Sequence, residues 1–286
     1  MKNLMDIEEE RTSMGTIVQL TGILEAIAST NIARVKNQVL AAQQFFNELW
    51  NIYTQLRVDE LFRFGRTSTE TAGDKELYIV ISSPGGFSGD LDQRLLIEML
   101  SQYNPAKQDI VVIGHHGTVL LAQAGIEYQK YFKLPEGARN ISVEPLLEEI
   151  KHYKNSKIFY QTYISLMTQD IKSIDATTAI KELSEQVEDN NEIISEATYI
   201  FEPSPYDVIA HLERSVLRIT LKQVIFDSQL AQYASRFKAM TTANDRAGDV
   251  FGEISQFYNR ARRENRDEQS KQIINDMRIL NSVREL

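Results

Sequence analysis

The chain of 286 residues contains no cysteine, which excludes disulfides, thiolate metal sites and cysteine nucleophiles. Proline is also scarce, and its placement matters more than its number. The six prolines are Pro84, Pro105, Pro135, Pro145, Pro203 and Pro205. None precedes Pro84 and none follows Pro205, so both ends are free to form long helices while the middle is repeatedly interrupted. No apolar run approaches the ~18 residues that span a bilayer. The first residues, MKNLMDIEEERTS, are charged and lack an apolar h-region, which argues against a secretory signal. A net charge of −9 disfavours nonspecific binding to nucleic acid or an anionic membrane, although a basic patch lies near Arg260–Arg266. Hydrophobic content of 42% and charged content of 25% are those of an ordinary globular chain.

What the ends do contain is a helical repeat. Alternating steps of three and four from Ile209 to Ala261 land on apolar residues everywhere except Gln223 and Asn244. Such spacing is the signature of a coiled-coil seam. Ser204 and Pro205 read as the N-cap and first position of this helix, and the repeat slips by one toward Ile273, Met277 and Leu280. Near the N-terminus, Met14, Ile17, Thr21, Leu24 and Ala28 set a similar rhythm, which resumes after a stutter of four at Ile32 and runs to Leu56. Neither stripe can be hidden by its own helix. The two helices are therefore expected to pair antiparallel, over 10–57 and 205–264, as a left-handed coiled coil.

The middle alternates strand and helix, which argues an α/β sheet. ELYIVISS (76–83), DIVVIG (109–114), SKIFYQTYIS (156–165), QDIKSIDATTAI (169–180) and ATYIFEP (197–203) read as strands. GDLDQRLLIEMLSQY (89–103) and EPLLEEIKHY (144–153) read as helices. The expected organisation is a helix over 1–57, a linker over 58–74, a Rossmann-like α/β domain over 75–203 and a second long helix over 204–286.

Few residues invite chemistry. SSPGGFSGD sits between strand and helix, where a phosphate loop would be, but lacks the Gly-Lys-Ser/Thr ending of a P-loop and the G-x-G-x-x-G spacing. It reads as a tight turn. His115 and His116, placed at a strand end, would point to opposite sides, so they do not suggest a metal site and read as surface or interface histidines. The carboxylate-rich runs at 144–154 and 181–196 read as solvated faces. No catalytic residue, metal site or cofactor is expected. Ala239, Ala243, Ala247 and Gly248 leave the last helix thin, and Thr241, Thr242, Asn244, Asp245 and Arg246 give it a polar flank. That combination suits a shaft surrounded by other chains.

The stretch ASRFKAMTTANDRAGDVFGEISQFYNRARR (234–263) resembles the C-terminal helix of the gamma subunits of rotary F-type ATP synthases. The likeness is carried by Ala234, Arg236, Ala239, Met240, Ala243, Ala247, Ile254, Tyr258, Asn259, Arg260 and Arg262. FEPSP (201–205) resembles the family's entry into that helix. LTGILEAIASTNIAR (20–34) is similar to its N-terminal motif at Thr21, Glu25, Ala28 and Arg34, and SSPGGFSGD to its glycine loop at Gly85, Gly86 and Gly89. The chain departs from the family at Gly22, Leu24, Ala26, Thr30 and Asn31, and in RRENRDEQ (262–269).

The resemblance implies a non-catalytic rotor. Its helices would stand inside a hexamer of alpha and beta subunits, and its α/β domain would meet the epsilon subunit and the membrane c ring. It would lie peripherally on the cytoplasmic face of the inner (plasma) membrane, without direct nucleotide or nucleic-acid binding. Partner contacts are expected from Thr21, Glu25, Arg34, Gly85, Gly86, Gly89, Arg236, Met240, Asn244, Asp245, Tyr258, Asn259, Arg260, Arg262, Arg263 and Glu268. The departures leave a second reading open, the shaft of a specialised rotary ATPase without a proton ring. A nucleotide-dependent α/β enzyme with helical extensions, and a helical scaffold that never meets an ATPase hexamer, are the two rival functions.

Overall fold

A computed structural model describes residues 3–56, 75–133, 142–153, 155–175, 202 and 205–284. The expected linker at 58–74, the acidic run at 181–196 and, apart from Glu202, the expected strand at 197–203 lie outside the described residues. The elements, in chain order, are α1 (Leu4–Leu56), β1 (Glu76–Ile81), α2 (Leu91–Gln102), β2 (Gln108–Ile113), α3 (His115–Gln123), β3 (Lys130–Phe132), α4 (Glu144–Ile150), β4 (Ser156–Tyr163), β5 (Gln169–Asp175) and α5 (Pro205–Arg284). At 53 residues and 80 residues, α1 and α5 would measure about 80 Å and 120 Å at the usual helical rise. The chain divides into two compact units, residues 1–27 with 239–286, and residues 28–238.

In the first unit α1 and α5 pair antiparallel, since partners descend on α5 as they ascend on α1. The Arg11 guanidinium lies 4.3 Å from the centre of the Tyr258 ring. Thr21 Oγ1 lies 2.9 Å from Asn244 Oδ1, to which it donates. Thr241 Oγ1 donates to Glu25 Oε1 at 2.8 Å. Gly15 faces Phe251, whose ring would stand 3.2 Å from an added Cβ, so a small residue here admits a large one opposite.

The inward positions of α1 correct the expected phase. Ile17 is 45% exposed, whereas Val18 and Glu25 are partly covered. Ile7, Arg11, Met14, Val18, Thr21, Glu25, Ala28, Ile32 and Val35 follow alternating steps of four and three without interruption. The expected stutter came from choosing the apolar Ile17 over Val18, and Leu24 over a glutamate. Glu25 holds its seam position because Thr241 supplies a partner, and Arg11 because Tyr258 offers a ring face.

The second unit is built on a five-stranded sheet in the order β3-β2-β1-β4-β5. The first four strands are parallel, and β5 closes the edge antiparallel to β4. Successive side chains of each strand point to opposite faces. Leu77, Ile79, Ile81, Val111, Ile113 and Ile158 pack with Val35 of α1, Leu146 and Leu147 of α4, and Leu221, Val224 and Ile225 of α5. Tyr78, Val80, Ile110, Val112 and Phe159 pack with Leu95, Leu96 and Met99 of α2 and Leu121 of α3. Burial on both faces explains why β1 and β2 read as continuous apolar runs. In this unit α5 is buried almost all round from Ile219 to Ser235, well beyond a single seam.

The chain has no native cysteine to interfere with a cross-linking test of the pairing. A Thr21→Cys, Asn244→Cys variant should form an internal disulfide under mild oxidation, whereas Thr21→Cys with Arg262→Cys should not. The reverse result, read by gel mobility with and without reductant, would refute the antiparallel register.

Candidate functional site: a buried polar joint

At the C-terminal ends of β1 and β4 the order of the sheet reverses, since β1 lies between β2 and β4. In open α/β sheets this switch point forms the crevice where ligands bind. Here the crevice is closed by polar side chains from α2, α3, β4, α5 and the β1–α2 loop. At its centre is Asp92, in the first turn of α2, only 1% exposed.

Five donor groups converge on its carboxylate. The backbone N–H of Ser83 donates at 3.3 Å and the Ser83 hydroxyl donates as well. Ser88 Oγ donates at 3.5 Å. Gln161 Nε2, from β4, donates at 2.7 Å. His116 Nδ1 lies 2.7 Å from Asp92 Oδ2 and must carry the proton between them, because a carboxylate only accepts.

Gln161 carries the network to α5. Its Oε1 accepts from the Ser228 hydroxyl and from Gln232 Nε2 at 3.1 Å. Gln232 Nε2 also donates to Ser228 Oγ at 3.0 Å. Gln161, Ser228 and Gln232 are all buried, so these bonds satisfy groups that water cannot reach. Beside them, Thr162 Oγ1 donates to Asp227 Oδ2 at 2.8 Å. Burial, only partly offset by that bond, raises the Asp227 pKa above the ordinary carboxylate value.

The histidines differ from the expected strand-end placement. They open helix α3, and Gly114 at φ 96° is the turn into it. A Cβ on Gly114 would stand 2.0 Å from the Ser82 carbonyl oxygen, and one on Gly117 would stand 2.5 Å from Ser82 Oγ. Both glycines are therefore needed to seat α3 against the end of β1. Gly117 N–H donates to Ser82 Oγ at 2.9 Å and His116 N–H donates to Ser83 O at 3.0 Å. The helix thus presents His116 to Asp92, while His115 stays exposed. Asp92 raises the His116 pKa by its hydrogen bond and, less strongly, by its charge. Burial and the nearby Arg236 lower it, and the net shift is upward.

The loop between β1 and α2 is braced from α5. Arg236 Nη2 donates to the carbonyls of Gly85 at 3.4 Å and Gly86 at 3.2 Å. Ser235 Oγ donates to the Ser88 carbonyl at 2.7 Å. Phe87, between these anchors, adopts φ 67°, a left-handed conformation that costs a bulky residue about 1–3 kcal/mol. It is nonetheless 68% exposed, so the loop displays an aromatic ring under backbone strain. Lys238 Nζ likewise holds the Met167 carbonyl at 3.0 Å, in the β4–β5 turn.

The residues singled out from sequence are thus divided between the units. Gly85, Gly86, Gly89 and Arg236 belong to the joint, with Gly89 at φ 63°. Arg34 is exposed on the α1 portion of the same unit. In the other unit, Met240 and Tyr258 are buried and Asn244 is half-buried in the helix pair, with Thr21 and Glu25 opposite. Asp245, Asn259, Arg260, Arg262, Arg263 and Glu268 are exposed. Sequence reasoning missed Asp92, Gln161, Ser228, Gln232, Ser235 and Phe87. The available signal was an aspartate in the first turn of an amphipathic helix, at a position the helical pattern places among buried neighbours.

Comparison with known proteins accounts for most of the length. The sequence model of the family described as ATP synthase matches residues 3–269. The chain belongs to that family. Curated relatives named ATP synthase gamma chain include one from Ruminococcus albus, 24% identical over 281 residues, covering 92% of this chain and 93% of the relative. Another, from Streptococcus suis, is 24% identical and covers 91% and 92%. Among solved structures, a chain of the Euglena gracilis mitochondrial ATP synthase (OSCP/F1/c-ring, rotational state 3) matches with a TM-score of 0.63 at 16% identity, covering 98% of this chain and 96% of that one. A chain of the rotor of the same synthase, in rotational state 1, matches with a TM-score of 0.58 at 15% identity, covering 91% and 98%. The fold is that of an ATP synthase central stalk, and the chain is a gamma subunit of the F-type complex.

Gln161→Leu should test how much the joint contributes. It would leave Asp92 short of one donor and Ser228 and Gln232 without their shared acceptor. Leaving a buried polar group unsatisfied costs about 1–3 kcal/mol, so a loss of roughly 2–5 kcal/mol in denaturant unfolding is expected. An unchanged midpoint would show that the network contributes nothing to stability.

Proposed function

We propose that this gamma chain is the non-catalytic rotor of its complex. Its helix pair turns inside a hexamer of alpha and beta subunits, and its α/β unit transmits that rotation to an ion-translocating c ring beside an epsilon subunit. It acts as a peripheral subunit on the cytoplasmic face of the membrane. One observation carries the reading. In the first unit, α1 keeps a second apolar stripe outside the seam: Ile17, Leu20, Ile23 and Ile27 are 45%, 54%, 56% and 50% exposed. On α5 of the same unit, Phe257, Ile273 and Met277 are also exposed. A row of exposed apolar side chains along one helix of such a pair calls for cover from other chains. No helix among the described residues is long and apolar enough to cross a membrane.

A rotor couples by differential contact. If each conformation of a surrounding catalytic subunit contacts each face of the shaft with a different energy, the shaft angle biases the site, and ligand at the site biases the angle by the same amount. The chain needs no catalytic group for this. The switch-point crevice, where a nucleotide would lie in this class of sheet, is filled by Gln161, Ser228 and Gln232. That occupancy supports the absence of direct nucleotide binding.

Mass spectrometry of the complex purified through this chain should find alpha, beta, epsilon and c subunits, and the chain alone should not hydrolyse ATP. Recovery with a hexamer but without a c ring would instead identify the shaft of a specialised rotary ATPase. Turnover by the isolated chain, surviving removal of alpha and beta, would overturn the rotor reading.

The exposed cluster Arg260, Arg262, Arg263, Arg266, Asp267 and Glu268 yields a second test. Exposed ion pairs contribute ~0–1 kcal/mol, whereas pairs enclosed in an interface can couple by ~1.5–7 kcal/mol. If Arg262 and Arg263 pair with carboxylates of the beta subunits at one angle and release them at another, replacing both with alanine slows ATP hydrolysis by the assembled complex about tenfold or more. Subunit stoichiometry should be unchanged. Equal turnover at low and high salt would reduce the cluster to a solvated face.

A further inference from the structure

The His116–Asp92 pair has a property that the rotor reading does not use. It joins a solvent-reachable titratable group to a buried carboxylate where the β1–α2 loop, α3, β4 and α5 meet. His116 is 24% exposed in its side chain, Asp92 only 1%. Protons can therefore reach the imidazole, while the carboxylate depends on protein groups for compensation. The charges acting on His116 are Asp92 from α2 and Arg236 from α5. The loop and β4 add only the neutral Ser83, Ser88 and Gln161 around the same carboxylate. Arg236 is already engaged, since its guanidinium holds the carbonyls of Gly85 and Gly86.

We infer that His116 and Asp92 form a proton-operated latch, which tightens the β1–α2 loop against the start of α2 when His116 is protonated and slackens it when the proton leaves. With His116 charged, the Asp92 carboxylate has a cation at hydrogen-bond distance and holds Ser83 and Ser88 at the two ends of the loop. With His116 neutral, the Nδ1–H bond persists but the charge is gone. The buried carboxylate then has only neutral donors, and its hold on the loop weakens. The element released is the one that displays Phe87, strained and exposed, so the latch governs how rigidly that ring is presented.

The direction follows from linkage. The folded chain raises the His116 pKa above its ordinary 6.5. The stabilisation is therefore complete below that value and is lost as the pH rises through the folded midpoint. Each unit of elevation corresponds to a factor of ten in the folding equilibrium. Asp227 also has a pKa raised by burial, and it is shared by every variant below.

The test uses the full chain with ¹³C-labelled histidine, which has four imidazole signals. His116 is assigned by its loss in His116→Gln, a variant that keeps a donor but cannot take up a proton. The expected result is a His116 midpoint above 6.5 that falls in Asp92→Asn. Backbone exchange protection at 83–89, corrected for intrinsic rates, should fade across the same midpoint in the wild type and stay flat in His116→Gln. The unfolding advantage of the wild type over His116→Gln should be present at pH 6 and absent well above the midpoint. A His116 midpoint at or below 6.5, or loop protection that does not change across it, overturns the latch. Should Asp92→Asn fail to fold, the wild type and His116→Gln decide the matter by themselves.

Discussion

A carboxylate sealed from water has to be met by donors, and the second unit is organised around that demand. Asp92 takes them from the main chain and side chain of Ser83, from Ser88, from Gln161 and from His116. Each donor fixes something else. Ser83 and Ser88 fix the two ends of the glycine loop. His116 can reach the site only because Gly114 and Gly117 allow α3 to start against Ser82. Gln161 has its carbonyl turned away from Asp92, where it becomes the acceptor for Ser228 and Gln232. Satisfying one buried charge thus ties the sheet to the last helix, and a half-satisfied network of this kind would be worse than an apolar one.

The same helix behaves differently in the two units. Between Ile219 and Ser235 it is surrounded, and its sequence alternates large apolar groups with Ser228, Ala231, Ala234 and Ser235, small enough to let other elements close in. From Ala239 onward one face is covered by α1, with Met240, Ala247 and Tyr258 buried and Asn244 engaged by Thr21. Among the described residues, Gly248 and Gly252 have open space where a Cβ would stand.

Much of the fold was legible because its signals are periodic. The proline-free ends, the 3.5-residue rhythm on α5 and the apolar runs of β1, β2 and β4 identify the elements directly, since burial on one face or on both leaves a pattern. Phase was harder to read. Val18 and Glu25 occupy the seam, although Ile17 and Leu24 are the more apolar candidates, because a glutamate with a threonine opposite is as well satisfied as a leucine. Strand β3, three residues long, is too short to carry a pattern, and α3 begins with a His-His-Gly sequence that no helix propensity favours. The joint was illegible for a deeper reason. Asp92, Gln161 and Ser228 are far apart in sequence, each is unremarkable alone, and only the topology that brings β4 beside β1 makes them one site.

That topology also bears on why a nucleotide-type sheet serves a mechanical role. An open parallel sheet offers a crevice at its switch point, and a glycine loop there invites an anion. In this chain the invitation is withdrawn in three ways. The loop lacks the P-loop lysine, and it packs against Asp92, a buried aspartate in the first turn of α2 whose charge opposes a phosphate. Its carbonyls, which would otherwise face solvent, are held by Arg236 and Ser235. What the architecture keeps from such sheets is stiffness: a rigid parallel core with one end open to attachment. Filling that end with α5 converts a binding site into a mounting, in which the second unit's stretch of the long helix is joined to the sheet by hydrogen bonds and close packing.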